Sequence, residues 1–153
     1  MPNTSSKNTE ILEELFILAE ESGIPIDEDC PAEIASMSVK LPDGKMVIGL
    51  SDETEHSRLE KMAHEMGHCM TDSFYEGYSP FELREKHERR ANEWAATTVI
   101  PFSELCRAVG LGYREVWELA EYFGVSEEFV LKAIAVHERN GHTVPKKLYS
   151  EAD

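Results

Sequence analysis

Apolar residues recur along this chain at two spacings, and the alternation between them predicts its elements. From Thr9 to Ser22 the positions Ile11, Leu12, Leu15, Phe16 and Ala19 fall three and four apart, the period of a helix with one buried stripe, and Gly23 ends the run. Asp27 to Pro31 reads as a turn-rich link. Met37–Leu41 and Met46–Leu50 alternate or run apolar over five residues each, which predicts two strands. Pro42-Asp43-Gly44-Lys45 between them suits a hairpin turn. A long helix is expected from Ser51–Thr54 to about Thr71, with capping residues and the acids Glu53 and Glu55 at its start. Asp72 to Pro80 reads as a loop, and Phe81 to Ile100 as a second long helix stopped by Pro101. Three shorter helices are expected at about 102–109, 113–123 and 127–139, separated by Gly110, Gly112 and Gly124. Residues 1–8 and 140–153 read as polar tails, which leaves 9–139 as a single domain with a part at 9–101 and a helical lobe at 102–139.

Composition narrows the function classes. At 153 residues the chain has room for one domain with a real core. Its 41% apolar and 29% charged content is that of a globular protein. The formal net charge of −15 tells against binding to nucleic-acid backbones or anionic lipid. The start is polar, so no signal peptide is expected, and no apolar run approaches the roughly 20 residues of a membrane span. Cys30, Cys69 and Cys106 are odd in number and widely spaced, which suits a reducing cytoplasm better than a disulfide framework. Cys69 follows His68 on the helix and points about 100° away from it, as a core thiol rather than a ligand.

Candidate chemistry lies inside the first long helix. His64-Glu65-Met66-Gly67-His68 fits the pattern H-E-x-x-H. Residues four apart on a helix leave it within about 40° of each other, so both imidazoles can close on one Zn²⁺. Glu65 flanks that face and can reach a metal-bound water without binding the metal. Met62, Ala63, Met66 and Gly67 make the surroundings apolar, and two histidines facing a core need a metal or good partners. Gly67 costs about 1 kcal/mol against alanine in mid-helix, which close approach of another backbone would explain.

A third ligand is needed, and the next helix supplies candidates. Glu88 shares a face with Ala91, Asn92 and Ala95, small residues that allow close packing on the first helix. Glu93 lies about 140° around and is expected to meet solvent. Asn92, one turn beyond Glu88, is placed to hold a ligand by a hydrogen bond.

Met62-Ala63-His64-Glu65-Met66-Gly67-His68, then Glu88-Arg89-Arg90-Ala91-Asn92-Glu93-Trp94-Ala95-Ala96, then Ile100-Pro101, resembles the ImmA/IrrE family of metallopeptidases. The resemblance covers about residues 35–140. It departs from the usual pattern at Trp94, where phenylalanine is common, and the additional C-terminal sensor domain of some relatives is not expected. It implies a small, mainly helical α+β zincin-like domain with a short antiparallel sheet and a C-terminal helical lobe. It further implies a zinc site with His64, His68 and Glu88 as ligands and Glu65 as general base. Relatives act inside the cell, and the best understood cleave a helix-turn-helix repressor, so the implied partner is a protein substrate of that kind. The strand that aligns the substrate in such enzymes is expected at Met46–Leu50. Tyr75, Tyr78 and His87 are the candidates for stabilising the oxyanion.

Other features read more plainly. His56, His137 and His142 are expected to be solvated. Leu119 to Val130 resembles a helix-turn-helix, but its second helix opens Ser126-Glu127-Glu128, and acid at that end repels phosphate, so DNA binding is not expected. A second reading makes the chain a non-proteolytic, metal-containing regulatory or repressor-binding module. The presence of Glu65 tells against it, because association does not need a base.

Overall fold

A computed structural model describes residues 4–30, 36–51, 55–76 and 78–144, with residues 4–6 and 55–57 as backbone only. The expected side-chain position of His56 and the caps read at 52–54 therefore lie outside the described residues, as do 145–153.

The order of elements is α1 (Thr4–Glu21), β1 (Ile26–Cys30), β2 (Met37–Lys40), β3 (Met46–Ser51), α2 (Glu55–Met70), α3 (Phe81–Val99), α4 (Phe102–Gly110), α5 (Val116–Phe123) and α6 (Glu127–Arg139). This is an α+β fold, with a small mixed sheet in the N-terminal half. β2 and β3 form the expected antiparallel hairpin, with Ser38 opposite Ile48. β1 lies parallel to β3 on its other side, so β3 is the central strand. The link read at Asp27 to Pro31 is thus a strand as far as Cys30. Its run Asp27-Glu28-Asp29 gives no apolar alternation, and edge pairing through the backbone needs none.

One buried apolar cluster connects these elements. Ile11, Leu15 and Ala19 of α1, Ile48 and Leu50 of β3, Leu59, Met62 and Met66 of α2 and Phe123 of α5 all contribute to it. The helices differ from expectation mainly at their ends. α1 starts at Thr4 rather than Thr9, so residues 4–8 are not a tail. Asn8 is buried there and its Nδ2 donates to Gly124 O at 2.6 Å, which ties α1 to the end of α5. Gly110 is the last residue of α4 rather than a separator. α5 begins three residues late, where the Glu118 carboxylate accepts the Glu115 N–H.

The chain from Asn140 to Val144 also packs. The His142 ring stacks on Phe102 with centroids 4.2 Å apart, and Val144 is buried. His137 is buried rather than solvated, and its Nε2 donates to Ile100 O at 2.7 Å. That bond satisfies a carbonyl at the end of α3, where Pro101 prevents the helix from continuing.

Candidate metal centre

Two long helices meet at the centre, and one glycine sets their separation. A Cβ on Gly67 would stand 2.4 Å from Ala91 O and 3.0 Å from Ala91 Cα. The backbones of α2 and α3 therefore touch there, as the sequence suggests, and no side chain fits between them. Ala91, Ala95 and Ala96 complete the contact as buried residues of α3. This approach brings Glu88 over the histidines of α2.

The end of α2 orients one of those histidines. Asp72 takes a left-handed φ of 50°, Ser73 N donates to His68 O at 2.9 Å, and Asp72 N donates to Cys69 O at 3.3 Å. This is a Schellman stop with aspartate at the position glycine usually holds. It turns the chain so that the buried Ser73 carbonyl accepts a hydrogen bond from His68 Nδ1. On the other side, Asn92 Oδ1 accepts from His64 Nδ1 at 2.8 Å. A carbonyl oxygen only accepts, so both imidazoles carry their proton on Nδ1 and turn an Nε2 lone pair inward.

These lone pairs converge with a carboxylate. The two Nε2 atoms are 3.2 Å apart, Glu88 Oε2 is 3.0 Å from His64 Nε2, and Glu88 Oε1 is 3.2 Å from His68 Nε2. Ligands about 2.0–2.1 Å from a tetrahedral Zn²⁺ stand roughly 3.3 Å from one another, so this donor set fits that ion. The donor atoms of His64, Glu65 and His68 also lie within 4.8 Å of one another. The shorter contacts belong to Glu88, and Glu65 forms no ion pair with either imidazole. Its Oε1 accepts from Ser38 Oγ of β2 at 2.8 Å instead. Burial raises the Glu65 carboxyl above its ordinary value, against the Ser38 hydrogen bond and the two histidines, which lower it.

Of the other residues predicted for the site, Tyr75 is at the centre, with its OH donating to Glu88 Oε1 at 2.8 Å. That bond raises its pKa, because it favours the protonated phenol. His87 stacks on Tyr75 and lies outside the cavity wall, with a buried Nδ1 that has no hydrogen-bond partner among the described residues. Tyr78 is 86% exposed and does not line the cavity. Glu93 faces away from the centre and pairs with Arg139 at 3.1 Å. Cys69 is buried, and desolvation pushes its thiol up to about 12, which suits a core thiol.

The family model of the IrrE N-terminal-like domain, Peptidase_M78, matches residues 19–135. The chain belongs to this family. Membership in Peptidase_M78 supports a metallopeptidase-type function and a protein substrate, in keeping with the resemblance read from the two helices. No curated protein and no solved structure matches the chain. Among the described residues no helix is long and apolar enough to cross a membrane.

The strand expectation needs correction within this family frame. β3 cannot align a substrate, because β1 and β2 occupy both its edges. β2 is the edge strand beside the metal centre, and its outer edge has no strand partner among the described residues. Within it Ser38 faces the site and donates to Glu65, Met37 also lines the cavity, and Lys40 pairs with Asp72 at the surface. Ser38 and Ser73 went unrecognised in the sequence, because neither belongs to a spaced motif.

Proposed function

We propose that the chain is a zinc-dependent endopeptidase in which His64, His68 and Glu88 hold the metal and Glu65 is the general base. What carries this reading is the convergence of two Nε2 lone pairs and the Glu88 carboxylate beside a buried carboxylate that binds none of them. Zinc bound there would supply Lewis-acid activation of a water and of the scissile carbonyl. Glu65 takes the proton from the attacking water and passes it to the leaving amine. Ser38 orients the Glu65 carboxylate, while Asn92 and the Ser73 carbonyl fix the imidazoles. Tyr75 is the residue best placed to turn from Glu88 toward the developing oxyanion. The substrate pairs as a strand with the outer edge of β2.

The substrate in this reading is an intracellular regulatory protein, with a helix-turn-helix repressor the leading case, and the enzyme is cytoplasmic. The α5–α6 pair serves as a packed lobe and not as a DNA reader, since Glu60 of α2 accepts from both Ser126 N and Ser126 Oγ at the start of α6. The test is incubation of the zinc-loaded chain with the products of the neighbouring genes, any helix-turn-helix protein among them first. Cleavage should occur, stop with chelator and return with added zinc. Stable association without cleavage would overturn the enzyme reading in favour of the binding module.

A further inference from the structure

A trough of about 510 Å³ begins at Tyr75 and Glu88 and runs between α3 and α6. Its cations are Arg84 and Arg89 of α3 and Lys132 and Arg139 of α6. Three carboxylates also line it. Glu88 is engaged by the histidines and Glu93 by Arg139, which leaves Glu85. Lys132 pairs with Glu128, which is outside the trough, across exposed side chains. Neither Arg84 nor Arg89 has an ion pair among the described residues, and the buried Nε of Arg84 has no hydrogen-bond partner there. The Arg84 guanidinium lies 5.9 Å from the centroid of the Phe81 ring, and Ala135 and Val136 add apolar wall.

We propose that this trough is a substrate subsite for a carboxylate side chain, aspartate or glutamate, flanking the bond at the metal centre. Arg84 and Arg89 present the planar donors that match a carboxylate. Phe81, Ala135 and Val136 pack the apolar part of the same peptide segment. The inference rests on the peptidase reading and adds a substrate class to it. It also opposes the overall field, because a net charge of −15 disfavours acidic peptides on average. A preference for acid therefore needs a local cluster of cations, which the trough supplies.

The test uses fluorescein-labelled dodecapeptides of an alanine-glycine host in which each position in turn carries Glu or Gln. Binding to the zinc-loaded Glu65→Gln chain is read by anisotropy, and cleavage by the unmodified chain is read on the same peptides. At one or two adjacent positions Glu should bind about tenfold more tightly than Gln, the scale of one charge-assisted hydrogen bond. Arg84→Gln and Arg89→Gln should each weaken that preference, and Arg89→Glu should reverse it. Equal or better binding of the Gln peptides at every position overturns the inference, as does no binding of any Glu peptide, or a preference that survives in Arg89→Glu. Acid-selective binding without cleavage of any peptide would tell against the peptidase reading and leave the trough as an acid-binding site only. Cleavage without acid selectivity would do the reverse.

Discussion

Three glutamates within 29 residues of chain occupy three different environments, and substitution separates them. Glu65→Gln keeps the shape and all three proposed ligands, so zinc should stay bound while cleavage falls by at least the 10²–10⁴-fold typical of a lost general base. Glu88→Gln removes a charged ligand, so zinc affinity itself should fall. Glu93→Gln breaks only an exposed pair with Arg139 and should leave zinc affinity unchanged. Zinc titration and a cleavage assay on the three proteins decide the assignment. Zinc release by Glu93→Gln alone would refute it. Glu65 carries a second signature in the chelated protein. Burial raises its carboxyl above the ordinary 4.5, so the folded chain binds more protons than the unfolded one and stability drops as pH rises from there. Chelated Glu65→Gln should therefore be at least as stable as the parent at pH 7, with the difference closing near pH 4 in denaturant titrations. Motif spacing made His64, Glu65 and His68 legible, because an i, i+4 pair fixes its own geometry. Ser38 and Ser73 act through strand register and a helix stop, which no local spacing reports.

At the level of elements, the contact of Gly67 with Ala91 determines whether α3 can place Glu88. Gly67→Ala gains helix propensity, worth about 1 kcal/mol. It also sets a methyl group against a backbone carbonyl that cannot give way, and overpacking of that kind costs about 1–3 kcal/mol. We expect net loss of stability together with weaker zinc binding, measured by denaturation of the chelated chain and by zinc competition. A variant more stable than its parent and equal in zinc affinity would refute the close approach. The long helices were readable because their apolar periods persist over four or more turns. α1 before Thr9 and β1 were not. Residues 4–8 carry no apolar stripe, and Asn8 is buried where it donates to a carbonyl 116 positions away. β1 is held by backbone pairing beneath exposed acids, so its sequence resembles a link. His137 misled for a related reason: a histidine near a helix end is ordinary at the surface, and only the packing of α6 on α3 brings it to Ile100 O.

Across the whole molecule, the proposed ligands join α2 to α3, and α3 carries α6 on its other flank. Metal bound only by the folded state stabilises that state by an amount that grows with its concentration, about 4 kcal/mol at a thousandfold excess over Kd. Chelator should lower the melting temperature of the zinc-loaded chain by several degrees, and added zinc should restore it. Melting that ignores both would argue against a metal held between the two helices. β2 has a consequence of its own. Ser38 holds the base and Lys40 grips Asp72, the residue whose turn aims Ser73 at His68. In the proposed reading, the ledge on which a peptide would lie is therefore fastened to Glu65 at one residue and, through Asp72 and Ser73, to His68 two residues later. On that reading a peptide seated out of register should disturb the Ser38 hydrogen bond to Glu65, and poor fit should then show as slow turnover as well as weak binding. Selectivity of such an enzyme would then be read in kcat as well as in KM.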